Sequence, residues 1–228
     1  MKLLALDTST EACSAALYID GEIDQRFELA PREHTQLILP MVDNLLTTAG
    51  INIKQLDALA FGRGPGSFTG VRISTGIIQG MAFGADLPVI PVSTLASIAQ
   101  AVYEDHQHSH VLAGIDARMG EVYWSQYTEQ DGIMALTGEE SVISPELVSA
   151  QAGIDWVAAG SAWTSYSDIL LNQLGTDIKH QYPSYHPQSR TIARLAVDAF
   201  NKGAAFPAEQ AIPVYLRNNV AKKSTKIK

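Results

Sequence analysis

The sequence contains little cysteine and no long apolar run, and each shortage excludes a class of protein. Cys13 is the only cysteine among the 228 residues, which excludes an internal disulfide framework and indicates a reducing compartment. No apolar stretch is long enough to span a bilayer, and the apolar run at the amino end is too short for a signal peptide. We therefore expect a cytoplasmic protein without membrane contact, in which Cys13 is a small buried hydrophobe.

Positive charge is also scarce. The formal net charge is −8, whereas affinity for nucleic acid depends mainly on clustered lysine and arginine, so a stand-alone RNA-binding module is disfavoured. Basic residues gather only at the carboxyl end, where they predict a solvated, frayed tail that makes at most a weak contact with RNA. These residues are Arg217, Lys222, Lys223, Lys226 and Lys228.

A glycine-rich segment raises the question of a phosphate site. It reads G62-R-G-P-G-S-F-T-G70, and its glycines miss the offsets of the dinucleotide motif. The mononucleotide loop requires a lysine at its end, and no lysine occurs between Lys54 and Lys179. The pattern favours a tight strand-to-helix turn in which Ser67 or Thr69 caps the helix, and an anion at the helix start is the less favoured alternative.

Apolar periodicity predicts the order β-β-β-α-β-α-β-α over the first hundred residues. At 46% hydrophobic and 18% charged residues, the chain has enough apolar material for a substantial core. Pro40 lies inside the first helical segment and should bend it. The predicted strands are 2–7, 12–19, 23–29, 56–61 and 88–92, and the predicted helices are 33–49, 71–84 and 94–103.

The second half of the chain repeats the opening of the first. K2-L-L-A-L-D7 and V111-L-A-G-I-D116 are both apolar strands that end in aspartate, and Tyr127 follows Asp116 at the spacing at which Tyr18 follows Asp7. This match predicts a duplicated β-β-β-α-β-α unit and two α/β lobes, 1–103 and 104–228, that face each other across a cleft. The later elements are predicted as strands 140–143 and 156–160, a short helix from 145, and helices 165–174 and 191–202.

Four segments together resemble the TsaB family, also called YeaZ. They are D7-T-S-T10, the glycine-rich segment with V71-R-I73, I115-D-A-R-M-G-E-V-Y123 and P213-V-Y-L-R217, so the resemblance runs essentially end to end. It implies the α/β fold of the actin, sugar-kinase and Hsp70 superfamily, with ribonuclease H-like halves. It also implies a supporting role in installing N6-threonylcarbamoyl on adenosine 37 of tRNAs that read codons beginning with A, with TsaD as the catalytic paralogue.

Within that fold, Asp7, Thr8, Ser9 and Asp116 are candidates for the remnant of a nucleotide site. The resemblance implies that two hairpins ending in aspartate hold the phosphates of an ATPase, with paired glycines in the turns so that backbone amides reach the oxygens. Neither D7-T-S-T10 nor D116-A-R-M119 contains such a pair. We therefore predict a degraded cleft with no cofactor and no catalytic residue.

A metal is not predicted either. The resemblance places the two metal-binding histidines of the catalytic paralogue at Thr94 and Ile98, and isoleucine cannot bind a metal. His34 has no second histidine one helical turn later, which favours an exposed or interface histidine. The histidines of E104-D-H-Q-H-S-H110 are best explained as part of a linker between the lobes. A metallopeptidase-like or ATP-dependent enzyme that acts alone is the alternative.

The second predicted helix has an unusual composition, because Gly76, Gly80 and Gly84 recur every four residues and form one bare stripe. Such a stripe permits close approach of another helix, either from this lobe or from a partner. The resemblance implies a helical bundle with TsaD or with a second copy, the two competing for one surface, while TsaE and tRNA join only within the complex. The predicted interface is His34, Leu37, Ile38, Met41, Leu45, Ile73, Gly76, Ile77, Gly80, Met81 and Gly84.

Overall fold

The computed structural model describes residues 1–175 and 178–217, which form two five-stranded mixed sheets with helices around them. The predicted order of elements is confirmed in the first half. In the second half the structure divides the predicted helix 165–174 into two helices and adds a two-residue strand after them, while most of the other bounds agree within three residues. The first lobe contains β1 (Lys2–Asp7), β2 (Ala12–Ile19), β3 (Glu22–Leu29), α1 (His34–Thr48), β4 (Ala58–Gly62), α2 (Phe68–Ala85), β5 (Val89–Val92) and α3 (Thr94–His106).

The first sheet has the strand order β3-β2-β1-β4-β5. β1 pairs antiparallel with β2 and parallel with β4, so the strand that ends in Asp7 lies at its centre. Both faces of β1 are buried, because alternate residues such as Leu4 and Leu6 pack under α1 and α2 while Leu3 and Ala5 pack on the opposite face. The centre of this sheet therefore fixes the position of the Asp7 turn.

The second sheet has the order β10-β9-β6-β7-β8, with the same pattern of an antiparallel meander and a parallel neighbour. The antiparallel pairing of β7 with β8 continues from Gln130–Ile133 to Val122–Ile143. The second half contains β6 (His110–Arg118), β7 (Glu121–Gln130), β8 (Ile133–Ile143), β9 (Val157–Ala159), α4 (Ala162–Ser165), α5 (Ser167–Leu174), β10 (Gln181–Tyr182) and α6 (Ser189–Asn201). The two sheets are the duplicated halves that the repeated strand predicted.

Two helices pack across the proposed boundary between residues 103 and 104. α3 belongs to the first half of the chain, yet Leu95 and Ile98 lie in the core of the second sheet with Val111. In the opposite direction, α6 returns from the second half and packs Ile192 against the first sheet. The boundary thus separates the two sheets, but each sheet is covered by a helix from the other half.

The differences from the predicted elements have local causes. β8 begins at Ile133 and not at residue 140, because its hydrogen bonds with β7 keep the polar T-G-E-E stretch in the strand. β10 has only two residues, too few for a periodic pattern. Pro40 does lie inside α1. Across residues 1–175 and 178–217, none of the helices is both long and apolar enough to pass through a membrane.

Candidate functional site

The glycine-rich segment packs against the Asp7 turn of its own lobe. A Cβ atom on Gly70 would lie 2.1 Å from the carbonyl oxygen of Thr8, and one on Gly66 would lie 2.3 Å from that of Ser9. The Thr8 hydroxyl donates to the Gly70 carbonyl at 2.7 Å, and the Ser67 amide donates to the Ser9 carbonyl at 2.7 Å. These glycines are therefore needed because two stretches of backbone are in contact.

The start of α2 is capped by its own chain. Ser67 is the N-cap, and its hydroxyl accepts a hydrogen bond from the Gly70 amide at 3.3 Å, whereas Thr69 lies inside the first turn. The Val71 amide donates to the Ser67 carbonyl at 2.9 Å. The amides of Ser67, Gly70 and Val71 are therefore engaged within the lobe, which leaves the tight-turn interpretation as the better account of this helix start.

Asp7 is fully buried beneath the same segment. Its carboxylate accepts hydrogen bonds from the Ser9 amide at 3.0 Å and from the Ser9 hydroxyl at 2.9 and 3.0 Å. Burial raises the pKa of Asp7 to about 6, and the bonds from Ser9 oppose this rise only in part. A Cβ atom on Gly62 would lie 1.8 Å from the Asp7 carboxylate, so the space above this oxygen is already occupied by the chain.

Asp116 is held by a separate set of partners. Its carboxylate accepts from the Arg118 amide at 2.8 Å, from the Ser165 hydroxyl at 3.0 Å and from the Arg118 guanidinium at 3.3 Å. Arg118 also reaches Glu11 of the first lobe at 3.3 Å, through a pair in which both side chains are largely exposed. The two turns are thus joined by an exposed ion pair, and each aspartate is bound by residues of its own turn or lobe.

The two positions that the resemblance aligns with the metal-binding histidines of the catalytic paralogue lie in the core. Thr94 and Ile98 are buried in α3. His34 is also buried, and its Nε2 atom lies 2.9 Å from the Thr10 carbonyl, so its interpretation as an exposed histidine is wrong. Residues 1–175 and 178–217 contain no group of three or more His, Cys, Asp or Glu side chains that could hold a metal ion.

The histidines between α3 and β6 do lie in the connection between the two sheets. His106 ends α3, and its Nε2 atom lies 2.8 Å from the Tyr185 hydroxyl. His108 lies in the loop, and its Nε2 atom lies 2.8 Å from the Tyr182 hydroxyl. Aromatic packing therefore accounts for two of these side chains.

Cys13 is inert, as its sequence context predicted. The side chain has no exposed surface and packs in the core under α1. Burial raises the pKa of the thiol to about 12, with smaller contributions from the charges of Asp7 and Glu28. The thiol therefore remains protonated at neutral pH, and it is a poor nucleophile.

The glycine stripe of α2 faces open space. Within the described residues, a Cβ atom on Gly76, Gly80 or Gly84 would have no atom within 4 Å, apart from the helix's own local backbone and the adjacent residues. The alternative in which the stripe packs against α1 or the sheet of the same lobe is therefore wrong. Ile77 and Met81 lie beside the stripe and are half-buried against the core of the lobe.

The predicted surface of α1 needs correction. Ile38 and Leu45 have at most 1% of their surface exposed and pack beneath the helix, so they belong to the core of the lobe. His34 is 8% exposed, so it is also removed from the predicted interface. Leu37 and Met41 are half-buried against that core, and their contact with a partner remains a prediction.

Three exposed apolar residues were missed by the sequence analysis. Phe83 is 74% exposed, Phe68 is 55% exposed and Leu39 is 51% exposed. Phe83 lies seven residues after Gly76 and three after Gly80, so the helical period places it on the face of the glycine stripe. This spacing was the signal that could have identified it. We define the docking surface as the face of α2 formed by Ile73, Gly76, Ile77, Gly80, Met81, Phe83 and Gly84.

The last described residues form a strap and not a frayed end. The Val214 amide donates to the Arg63 carbonyl at 2.8 Å, and the Arg72 Nε atom donates to the Tyr215 hydroxyl at 2.7 Å. Arg217 binds Glu121 at 2.9 Å, so the prediction of a frayed basic tail is wrong at this residue. The remaining basic residues of the tail, Lys222, Lys223, Lys226 and Lys228, lie outside the described residues.

The two similar sheets, each with a central strand that carries Asp7 or Asp116, define an α/β protein of the actin and sugar-kinase type. The model of the TsaD family, tRNA N6-adenosine threonylcarbamoyltransferase, matches residues 27–225. The relatives that match nearly the whole chain are named TsaB or YeaZ. The chain therefore belongs to the TsaB family.

Three relatives support this assignment. The tRNA threonylcarbamoyladenosine biosynthesis protein TsaB of Escherichia coli is 47% identical over 98% of this chain and 97% of its own length. The TsaB protein of Haemophilus influenzae is 45% identical over 98% of this chain and 96% of its own length. The structure of YeaZ from Pseudomonas aeruginosa, at 45% identity, covers 94% of this chain and 99% of its own, with a TM-score of 0.89.

Proposed function

We propose that this chain is a non-catalytic subunit of tRNA threonylcarbamoyladenosine biosynthesis and that it binds TsaD through the docking surface. The observation that carries the proposal is the open glycine stripe on α2. The names of the TsaB relatives supply the pathway, and the family model supplies the transferase to which the chain is related.

The energetics of α2 support a partner. Gly76 and Gly80 lie inside the helix, and each destabilises it by about 1 kcal/mol relative to alanine. No contact at the stripe itself offsets this loss, because no atom of residues 1–175 and 178–217 outside the helix's own local backbone lies within 4 Å of where a Cβ atom would be. A helix from a second molecule could approach the bare backbone closely and gain dispersion contacts along its length.

The residues around the stripe fit this role. Phe83 presents an exposed aromatic ring beside Gly80, and large exposed apolar side chains are commonly the residues that contribute most to an interface. Ile77 and Met81 are half-buried at the base of the same face, so their contact with the lobe's core fixes their position. The surface therefore combines an anchoring ring with a groove of small residues.

The cleft supports a subunit without catalysis of its own. Asp7 is covered by Gly62 and bonded to Ser9, and the glycine-rich segment is in contact with the backbone of the Asp7 turn. Nucleotide-binding folds require free backbone amides at such a turn, since these amides bind the phosphates. In this chain the motif fixes the beginning of α2 and thereby orients the docking surface.

A second copy of the chain would compete with TsaD for this surface. A two-fold symmetric contact needs only one self-complementary patch, and the stripe with its flanking apolar residues is such a patch. We propose that TsaE and tRNA associate with the complex of this chain with TsaD. The acidic body of the chain is consistent with weak binding of tRNA by the chain alone.

The test is to measure threonylcarbamoyl transfer to tRNA with this chain alone, with TsaD alone, and with the two combined in the presence of TsaE. We expect transfer only when TsaD is present and an increase in rate when this chain is added. A matched sample with Phe83→Ala and intact folding should show a reduced increase. Transfer by this chain alone would support the alternative, an enzyme acting by itself.

A further inference from the structure

The glycine-rich segment contains one charged residue, Arg63, whose contacts reach both lobes. Its amide donates to the Val92 carbonyl of β5 at 2.8 Å, and its carbonyl accepts from the Val214 amide at 2.8 Å. Its guanidinium donates to Glu140 of β8, in the second sheet, at 2.9 Å. Arg63 is thus a junction between the first sheet, the second sheet and the carboxyl-terminal strap.

The partner of Arg63 is also held from two directions. Glu140 accepts a hydrogen bond from Tyr127 of the second sheet at 2.9 Å and another from Ser93, which precedes α3. The Glu140 side chain is 7% exposed and the Arg63 side chain is 24% exposed. Solvent and salt therefore screen this ion pair less than they screen a surface pair.

The environment of Tyr127 supports the same view. The ring is buried, and burial together with the charge of Glu140 raises the pKa of Tyr127 well above its usual range. The hydroxyl therefore remains a hydrogen-bond donor to Glu140 at all pH values near neutrality. With Arg63, Ser93 and Tyr127 all directed at one carboxylate, the network is fully satisfied in a single arrangement.

The strap provides a second connection. Residues 211–217 run from beside α2 to the β6–β7 turn. There Arg217 donates to Glu121 at 2.9 Å and to the carbonyl oxygens of Ala117 and Arg118 at 3.2 Å each. Val214 fastens the middle of the strap to Arg63. The strap therefore begins at the first lobe and ends at the turn that carries Asp116.

We propose that Arg63 and Glu140 form a latch that keeps the two lobes in one relative orientation, with the strap as its second fastening. In this arrangement the cleft does not open and close, and the docking surface keeps a fixed position relative to the second lobe. The latch assigns a role to the charged residue of the glycine-rich segment, which the packing of its glycines leaves unexplained.

Distance measurements between spin labels on the two lobes test the latch. Asp43→Cys on α1 and Gln130→Cys at the end of β7 place one exposed label on each lobe, and Cys13 is buried and should remain unlabelled. The protein with Arg63 and Glu140 intact should give one narrow distance. Arg63→Met should give a broader or shifted distribution, and Arg217→Met a smaller change in the same direction.

Two further variants make the result decisive. Lys202→Met removes a lysine whose ion pair with Asp198 lies at the end of α6, far from both labels in the sequence, so this variant should retain the narrow distance. If Arg63→Met does not fold, Arg63→Met combined with Glu140→Gln decides, because the double variant leaves no uncompensated buried charge. A double variant that folds and keeps the original narrow distance would overturn the latch.

Discussion

Two sets of glycines only a few residues apart serve opposite purposes in this protein. Gly66 and Gly70 are needed because the backbone of the Asp7 turn lies where a side chain would begin. Gly76 and Gly80 lie on the following turns of α2, and a Cβ atom on either would meet no described residue within 4 Å beyond the helix's own local backbone and the adjacent residues. The first set allows the glycine-rich segment to pack on the backbone of the Asp7 turn, and the second leaves one face of α2 uncovered. Glycine content alone therefore does not identify a ligand site.

The largest effect is expected where the comparison is sharpest, at Gly70. Gly70→Ala would place a Cβ atom 2.1 Å from the Thr8 carbonyl oxygen, which belongs to backbone that cannot move cheaply. We expect a loss of about 3 kcal/mol or more in the free energy of unfolding, at the upper end of overpacking effects. Urea unfolding measures it, and stability equal to that of the unchanged protein would contradict the packing described for the loop.

Asp7→Asn tests how the buried carboxylate in the Asp7 turn affects the stability of the protein. Because the folded protein raises the pKa of Asp7 from 3.8 to about 6, the folded state binds this proton more tightly than the unfolded state. The contribution of Asp7 to stability therefore rises as pH falls from about 6 towards 3.8 and is lost above that window. We expect Asp7→Asn to stabilise the protein at pH 7 by about 2 kcal/mol, somewhat less than the full linkage value, with the advantage shrinking as pH approaches 4.

The measurement is urea unfolding of both proteins between pH 4 and pH 8. The amide keeps the size of the carboxylate and can still accept the bond from the Ser9 amide, so a change in shape is not expected to obscure the effect. A variant less stable than the original at pH 7 would show that Asp7 has a favourable charge partner in the cleft.

Phe83→Ala tests the open side of the comparison. The ring is 74% exposed, so its loss should leave the free energy of unfolding within about 0.5 kcal/mol, as for ordinary surface substitutions. Binding to TsaD should weaken by about 1–2 kcal/mol if the ring is an interface anchor. Calorimetric titration measures this, with Leu147→Ala as the control, since Leu147 is 66% exposed outside the docking surface. If both truncations changed the affinity for TsaD equally, Phe83 would not be an interface anchor.

Gly76→Ala is the smallest predicted change and the counterpart of Gly70→Ala. The added methyl group meets open space, and alanine is the better helix former, so the isolated chain should gain about 1 kcal/mol in stability. Thermal and urea unfolding at one pH measure the gain. Destabilisation would mean that the stripe has an intramolecular neighbour after all.

The elements of this fold follow from the sequence because local patterns determine them. Leu3 to Leu6 alternate between two buried faces, and Ile38, Val42 and Leu45 recur at the helical period. The repeated apolar stretch before Asp116 predicted a second sheet, but it did not predict β10 or the full length of β8. The resemblance to TsaB supplied the pathway, which no local pattern contains.

Long-range packing could not be predicted in the same way. Nothing in the periodicity of α6 indicates that Ile192 would cover the sheet of the other half, and nothing near Arg217 indicates its contact with Glu121. The helical wheel also placed Ile38 and Leu45 on a broad apolar face without dividing core from surface. That division depends on which residues the sheet beneath α1 reaches.

The central claim, that the uncovered helix surface receives TsaD, is tested most directly by sedimentation velocity of this chain titrated with TsaD, with and without Gly80→Leu. The leucine side chain enters open space in the monomer, so the variant should remain folded, as unfolding experiments on the isolated chain would verify. We expect the unchanged chain to form a complex with TsaD and Gly80→Leu to form none at the same concentrations. A folded Gly80→Leu variant that binds TsaD as tightly as the unchanged chain would contradict the account.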